Sequence, residues 1–216
     1  MAKTARELLT EIERELAPGS HENRLVPLIA AGRAPRSVLA ALASEQHRII
    51  TSDWRSFLLL AARAPHPTAG GFFTTLAQGE LLALQALSAF AKACGLDEKA
   101  LNEYRPQAGC QAYPAYLAWL ALNGEPANVV LAVVANFSAW GNYCEIVSKA
   151  LREHYGFADS GCAFFDFFAA PAPDLERQAL DVVQSALDDG RSTAPALEYG
   201  RLLQSYELMF WNTLAQ

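Results

Sequence analysis

Apolar residues recur at steps of three and four along most of the chain, the spacing that places them on one face of an α-helix. Strand signals are nearly absent, because no segment sustains an alternation of apolar and polar residues and no tight hairpin turn joins two such segments. Alanine and leucine, two strong helix formers, dominate the composition. The pattern therefore predicts an all-helical fold, and the absence of a recognisable linker predicts one domain over residues 1–216.

Proline, glycine and capping residues divide this pattern into helices. Thr4-Ala5-Arg6-Glu7 forms a capping box that opens a first helix, which should stop at Pro18-Gly19. Pro35 opens a long second segment that should run to about Arg63, before Pro65 and Pro67 break it. The remaining predicted helices are Gly71–Cys94 with Gly95 as its C-cap, Asp97–Tyr104, Pro114–Asn123, Pro126–Tyr155, Cys162–Ala169, Pro173–Asp189 and Ala194–Leu214.

The segment from Pro126 to Glu145 is apolar on nearly every side, which is typical of a helix surrounded by other helices. It is therefore expected to lie at the centre of the fold. Its polar exceptions are Asn136, Ser138 and Asn142. Buried polar side chains need hydrogen bonds, so these residues either bond within the bundle or line a ligand cavity.

Two other predicted helices also carry polar side chains at apolar positions. In the last helix, Glu207 stands in the stripe formed by Leu203, Phe210 and Leu214. A carboxyl group on the core side must be paired, hydrogen-bonded or shifted in pKa, and such groups gather at functional sites, although structural ion pairs bury carboxylates too.

In the second segment, Gln46 fills a gap in a similar stripe and Glu45 is its neighbour; the stripe consists of Leu39, Leu42, Ile49, Asp53 and Phe57. Three helices with this feature suggest a shared interior pocket. Many aromatic residues could surround it and would suit a flat, partly polar heteroaromatic ligand, although each taken alone is more simply core; they are Tyr113, Tyr116, Trp119, Phe137, Trp140, Tyr143 and the run Phe164-Phe165-Asp166-Phe167-Phe168.

Charge and composition narrow the function classes. The net charge of −6 and the lack of any Lys/Arg run argue against direct nucleic-acid binding. The N-terminus lacks the apolar segment of a signal peptide, and the most apolar run, Val129 to Ala135, is too short to span a bilayer. We therefore expect a cytoplasmic protein with no membrane partner.

Metal and cofactor binding are not expected either. The four cysteines lie far apart with no pair at metal-ligand spacing, which is typical of reduced, half-buried thiols. The histidines are few (His21, His47, His66 and His154), and Glu80 lacks a histidine three residues on, so a di-iron site of histidines and carboxylates is not supported. The sequence predicts no metal and no cofactor.

Two motifs resemble the TenA/thiaminase II family, whose PqqC-related members share the heme-oxygenase-like helical fold. Tyr206-Glu207-Leu208-Met209-Phe210-Trp211 is similar to the closing Tyr-Glu-x-x-Phe-Trp of that family, in which the glutamate is the catalytic acid/base. Ala112-Tyr113 followed by Asn123-Gly124 is similar to the family's Tyr…Ser-Gly segment, whose tyrosine lines the active site. The resemblance covers most of the chain and implies Glu207 as the catalytic residue and Tyr113 as a ligand-binding residue.

The chain departs from the family at four other positions. Asn136 stands where the family has its catalytic cysteine, and Trp140 and Phe168 replace two pocket tyrosines. The family's Gln-Asp pair, which holds an aminopyrimidine, corresponds to Glu45-Gln46 with an ambiguity of one residue. An amide cannot replace a thiolate nucleophile, so thiaminase-type cleavage is not expected.

Three functions follow from the resemblance. The first is a TenA-like hydrolase or lyase acting on a small heteroaromatic molecule without a cysteine nucleophile, of the kind that serves thiamin salvage. The second is a non-catalytic ligand-binding or regulatory protein, since some members have been labelled transcriptional regulators. The third is a PqqC-like oxygen-using enzyme. The resemblance also implies a homodimer or homotetramer.

Overall fold

The computed structural model describes residues 3–17, 19 and 22–216. Of these residues, 82% are helical and none lies in a strand, so the predicted all-helical class is confirmed. The helices are α1 (Ala5–Leu16), α2 (Leu25–Ala30), α3 (Arg36–Arg63), α4 (Pro67–Ala93), α5 (Glu98–Glu103), α6 (Ala108–Asn123), α7 (Pro126–Tyr155), α8 (Asp159–Ala169), α9 (Pro173–Asp188) and α10 (Pro195–Leu214).

The capping signals act locally as the sequence predicts. Thr4 accepts a hydrogen bond from the backbone N–H of Glu7, and the Glu7 carboxylate accepts one from the backbone N–H of Thr4. This reciprocal pair satisfies two donors that the first turn of α1 would otherwise leave unpaired. α1 ends at Leu16, and Pro18 of the predicted stop lies outside the described residues.

Three helix starts differ from the sequence prediction by three or more residues, and α2 was not predicted. α4 begins at Pro67 rather than Gly71, because a proline in the first turn loses no helical hydrogen bond and can open a helix as well as break one. α8 begins at Asp159 rather than Cys162. α6 begins at Ala108 and includes Pro114, which was expected to open it. Pro114 is buried, and the packing of α6 against α3 and α10 offsets the hydrogen bond that proline cannot make.

α7 is the central helix, packed against α1, α2, α8, α9 and α10. Every residue from Pro126 to Asn136 is buried, but Ser138 and Asn142 are exposed, so neither is an interior polar group. In the described part of the chain, α7 is also the one helix long and apolar enough to cross a membrane. Its place inside the bundle accounts for that composition, and the absence of a membrane partner stays a prediction.

Two apolar clusters meet along α7. The first contains the N-terminal half of this helix with parts of α1, α4 and α9, and the second contains its C-terminal half with α2 and α8. Tyr113 of α6 packs against both clusters. The stretch of α7 between Asn136 and Trp140 therefore lies where the two clusters adjoin, and this is where the polar interior groups gather.

Candidate functional site

An interior cavity of about 60 Å³ lies at the junction of the two clusters. Six helices contribute to its wall: α3, α4, α6, α7, α8 and α10. Its lining residues are Gln46, Ile49, Ile50, Asp53, Phe57, Glu80, Tyr113, Asn136, Phe137, Trp140, Phe168, Glu207 and Phe210. Six of the seven site residues named from the sequence are thus brought together, while their roles in binding or catalysis stay predictions.

Glu207 is held in the cavity wall by its own helix and by α7. It is only 4% exposed, and the indole N–H of Trp211, one turn later in α10, donates to its Oε1 at 3.2 Å. Burial raises the pKa of Glu207 to about 7, while the neighbouring Asn136 amide and the Trp211 N–H act in the opposite direction. At neutral pH, the two protonation states of this carboxyl group are therefore close in free energy, as a general acid and base requires.

Asn136 is hydrogen-bonded to α10 rather than standing free in the cavity. Its Nδ2 donates to Oε1 of Gln204 at 2.8 Å, and both residues are buried. Gln204 precedes Glu207 by three residues in α10, so the Asn136–Gln204 hydrogen bond joins α7 to α10 close to the Glu207 carboxyl group. Gln204 is not among the site residues predicted from the sequence, although it stands one position after the buried Leu203.

Glu45 lies outside the cavity, which corrects its place among the ligand-binding residues. It is completely buried and accepts hydrogen bonds from the hydroxyl of Tyr104 at 2.9 Å, the backbone N–H of Gln107 at 2.7 Å and Nε2 of Gln111 at 2.5 Å. Gln107 is the N-cap residue of α6, so the carboxylate anchors the start of that helix. Gln46 is the member of the pair that lines the cavity.

Aromatic rings form one side of the cavity. The ring of Trp140 lies 5.4 Å from that of Trp211 and 5.7 Å from that of Phe168, between ring centroids. Trp140 and Phe168 keep part of their surface exposed. The wall therefore offers flat apolar faces without the hydroxyl groups that tyrosines would supply at these two positions.

Other aromatic residues named from the sequence lie elsewhere. Tyr116 and Trp119 stack on each other at 5.7 Å with an interplanar angle of 8°, and Trp119 is 48% exposed. Tyr143 packs on Trp211 behind the cavity wall. Phe164 and Phe165 belong to the second apolar cluster, and Asp166 pairs with Arg152. These residues lie in the core or on the surface, in agreement with the simpler interpretation of each one as an ordinary packing residue.

Two lining carboxyl groups, Asp53 and Glu80, were not chosen as site residues from the sequence. Burial and the nearby Glu80 raise the pKa of Asp53 well above its ordinary value, and burial raises the pKa of Glu80 to about 8. Both could have been predicted from the sequence by the criterion that identified Glu207, a carboxyl group at an apolar position of a helix. Asp53 occupies an apolar step of α3, and Glu80 occupies the gap in a stripe of α4 formed by Leu76, Ala83 and Leu87.

Tyr113 lies within electrostatic range of all three carboxyl groups. Burial raises the pKa of its phenol well above 10, and the carboxyl groups of Asp53, Glu207 and Glu80 raise it further. The hydroxyl group therefore stays protonated at every physiological pH. It is available as a hydrogen-bond donor to a ligand or to a carboxylate.

The cavity contains neither a thiol nor a set of metal ligands within the described residues. Cys110, Cys144 and Cys162 are buried elsewhere, and burial raises the pKa of Cys144 well above 9, so it is not a thiolate. Residues 3–17, 19 and 22–216 contain no group of three or more histidine, cysteine or carboxylate side chains that could hold a metal ion. The absence of a metal and of a cofactor remains a prediction from the sequence.

Comparison with known proteins agrees with the sequence motifs. Residues 10–216 match the TENA/THI-4/PQQC family. A TenA family transcription regulator from Silicibacter sp. TM1040 is 15% identical, with 97% of this chain and 96% of that chain covered and a TM-score of 0.76. A search of curated proteins finds no match.

Two further solved structures have the same fold. A domain of unknown function with a heme oxygenase-like fold from Shewanella denitrificans is 15% identical, covering 96% of this chain and 90% of that chain, with a TM-score of 0.68. A protein provisionally described as a TenA-like thiaminase from Sulfolobus solfataricus is 14% identical, covering 99% and 96%, with a TM-score of 0.67. At such identities the likeness shows the heme oxygenase-like fold and leaves the activity open.

Proposed function

The chain belongs to the TENA/THI-4/PQQC family, and we propose that its interior cavity binds a small heteroaromatic molecule that it hydrolyses with Glu207 as general acid and base. One observation carries the proposal: a carboxyl group with a pKa of about 7 faces a cavity with aromatic walls and is hydrogen-bonded there by Trp211. Groups with this combination of burial and tuned pKa are typical of acid/base sites.

Water is the nucleophile in this proposal. The ionised form of Glu207 removes a proton from a water molecule as the water oxygen bonds to the ligand carbon that carries an amino nitrogen, and the bond between that carbon and the nitrogen breaks. The same carboxyl group then returns that proton to the leaving nitrogen. Such positioned acid/base help contributes about 10²–10⁴-fold in rate.

Ligand binding has to widen the cavity. Its volume of about 60 Å³ is small compared with the roughly 300–1,000 Å³ of ordinary small-molecule sites. Trp140 and Phe168 are partly exposed aromatic residues of the wall, and a rotation of either ring would lengthen the cavity towards the solvent. A bound ligand should then lie between these rings and Glu207.

Thiamin itself is not the expected substrate. Covalent cleavage needs a thiolate, and the position of the family's cysteine carries Asn136, whose amide is bonded to Gln204. The test is an assay for free aminopyrimidine, with intact thiamin and with its degradation products as alternative substrates. We expect turnover of degradation products and none of thiamin, whereas robust cleavage of thiamin would contradict the proposal.

The absence of a thiol from the described cavity wall also supports a second candidate function, ligand binding without turnover. A thermal-shift screen separates the two, because a ligand that binds the folded state raises the melting temperature by mass action whether or not it reacts. The screen should include aminopyrimidines, thiamin, quinone precursors and heme. Stabilisation by an aminopyrimidine that is never converted would favour the binding function.

A further inference from the structure

Asp53 and Glu80 form a second polar site in the cavity, contributed by α3 and α4, whereas Glu207 comes from α10. Asp53 is only 5% exposed, yet its Oδ1 has no hydrogen-bond partner among the described residues. An unsatisfied buried acceptor costs free energy, so a native structure keeps one where something else supplies the donor. Glu80 lines the same space and is half-buried, and its carboxyl group forms no hydrogen bond or ion pair with a described side chain.

No cationic side chain of the described chain lines the cavity to neutralise these groups. Two adjacent carboxyl groups cannot both ionise in such a site without a cation, which is why burial and mutual repulsion raise the pKa of Asp53 and why the pKa of Glu80 is raised to about 8. The titratable groups that face the pair are Tyr113 from α6 and Glu207 from α10. The other elements of the wall, α7 and α8, contribute uncharged residues, and α9, which packs on α4, contributes none.

We propose that Asp53 and Glu80 bind a protonated nitrogen base, so that the ligand of this cavity is a cation whose N–H groups donate to the unpartnered carboxyl oxygens. The inference rests on the proposed function and specifies its ligand class: a flat aromatic body against Trp140 and Phe168, with a protonated amino, amidine or ring nitrogen at the acidic pair. Neutral rings would bind only through the aromatic wall and therefore more weakly, and anionic, carboxylate-bearing quinone precursors would be repelled by this distribution of charge.

Binding of a cation should release a proton. In the empty protein at neutral pH, the pair holds at least one proton, because the pKa of Glu80 is about 8 and that of Asp53 is also raised. A cationic ligand stabilises the ionised form, so one proton passes from the pair to the solvent as the ligand enters. The affinity for the cation should therefore rise about tenfold per pH unit below pH 8, as long as the ligand stays protonated.

The probes are benzamidine, benzamide and benzoate, which share one shape but carry a positive, a zero and a negative charge. Isothermal titration calorimetry in two buffers of different ionisation enthalpy measures both the affinity and the number of protons released. We use a Glu207→Gln background, so that the titration of Glu207 does not contribute to the proton count. The expected result is that benzamidine binds more tightly than benzamide, that benzoate does not bind, and that proton release accompanies only benzamidine.

Asp53→Asn and Glu80→Gln, each in the same background, test the residues. Each should weaken benzamidine binding by about 10–100-fold, the usual contribution of a hydrogen bond to a charged group, and should leave benzamide binding unchanged. Asp181→Asn is the matched control, since Asp181 is an exposed aspartate of α9 far from the cavity wall. An unchanged melting profile or circular dichroism spectrum establishes that each variant folds.

Each contrary outcome has a distinct meaning. Equal affinity for benzamidine and benzamide, or benzamidine binding without proton release, would overturn the cation site while leaving an aromatic-binding cavity intact. Benzamidine binding that survives both substitutions would place the cation elsewhere and would also overturn it. If none of the three probes binds, the cation site is refuted, and the proposed function is judged separately by the aminopyrimidine assay.

Discussion

At the scale of single residues, Glu207 combines a structural cost with a chemical use. Enclosing a carboxyl group among apolar side chains disfavours its ionised form, and this shifts the pKa of Glu207 to about 7. The same shift gives the protein a group that gains and loses protons at neutral pH. Its measurable consequence is a stability that depends on pH.

Glu207→Gln should stabilise the protein at pH 8 but not at pH 5. Glu207 ionises near its ordinary value of 4.5 when unfolded and near 7 when folded, so the folded state holds the proton more tightly between these values. The free energy of unfolding therefore falls as the pH rises through this window and levels off above it. The substitution should remove up to roughly 3 kcal/mol of that fall.

Urea unfolding at pH 5 and pH 8 measures this difference. Asp53 and Glu80 have pKa shifts of the same sign, so the variant should retain part of the pH dependence. Glu198→Gln is the control, because Glu198 is an exposed glutamate of the same helix. An equal loss of stability in the native protein and in Glu207→Gln would mean that Glu207 is ionised throughout this range.

Glu45 is the buried carboxylate with the opposite role. Its three hydrogen-bond donors hold the start of α6, so Glu45→Ala should remove three partly buried hydrogen bonds and cost about 3 kcal/mol of unfolding free energy. Glu103→Ala, at an exposed position of α5, should cost little. Chemical denaturation of both variants measures the contrast, and a cost below about 1 kcal/mol for Glu45→Ala would show that the anchor is dispensable.

Individual residues also show how far a sequence predicts a site. Glu207 and Gln46 were found because a polar residue interrupts an apolar stripe, and the structure places both in the cavity wall. Glu45, the neighbour of Gln46, is buried too, yet its side chain turns to α5 and α6. Periodicity specifies the buried side of a helix but not which neighbouring helix faces it. Two consecutive residues can therefore face different neighbours, so that one lines a cavity and the other makes a structural contact.

At the scale of helices, the boundaries were predicted best where proline or glycine has a single possible role. Gly95, with φ of 82°, lies in the left-handed region just after the end of α4, in agreement with its predicted capping role. Pro67 and Pro114 were misjudged because a proline can open a helix, end one or lie inside one. Tertiary packing decides among these roles, and a local pattern does not contain that information.

The contact between α6 and α10 fixes the distance from Tyr113 to Glu207. Gly109 of α6 faces Thr213 of α10, and a methyl group at Gly109 would overlap the Thr213 hydroxyl. Gly109→Ala should therefore push the helices apart and cost about 1–3 kcal/mol of unfolding free energy. Gly71→Ala is the matched control, because a methyl group there meets nothing within 4 Å and a helical glycine-to-alanine change stabilises by up to about 1 kcal/mol.

Thermal melts of the two alanine variants decide this point. We expect opposite shifts in melting temperature, downward for Gly109→Ala and upward for Gly71→Ala. If both variants melt at or above the melting temperature of the native protein, the contact between α6 and α10 can accommodate a methyl group. The close approach of the two helices then does not position Tyr113.

At the scale of the whole molecule, the exposed apolar surface supports the prediction of a homodimer or homotetramer. Trp119 is 48% exposed and Leu122 is 62% exposed, and Trp119 stacks on Tyr116. Apolar side chains grouped in this way are typical of surfaces that another subunit covers. Sedimentation at micromolar concentration should show a species larger than 23.5 kDa, and Leu122→Lys should shift it towards the monomer.

Two results would contradict this prediction of assembly. A single 23.5 kDa species for the native chain would refute the oligomer. An unchanged oligomer in Leu122→Lys would place the interface on another surface.

The measurement that tests the account most directly is the formation of free aminopyrimidine by the native chain, by Glu207→Gln and by Glu198→Gln. Glu207→Gln should slow hydrolysis of thiamin degradation products by about 10²–10⁴-fold, whereas Glu198→Gln should retain the native rate. Turnover that survives Glu207→Gln would contradict the acid/base role of Glu207.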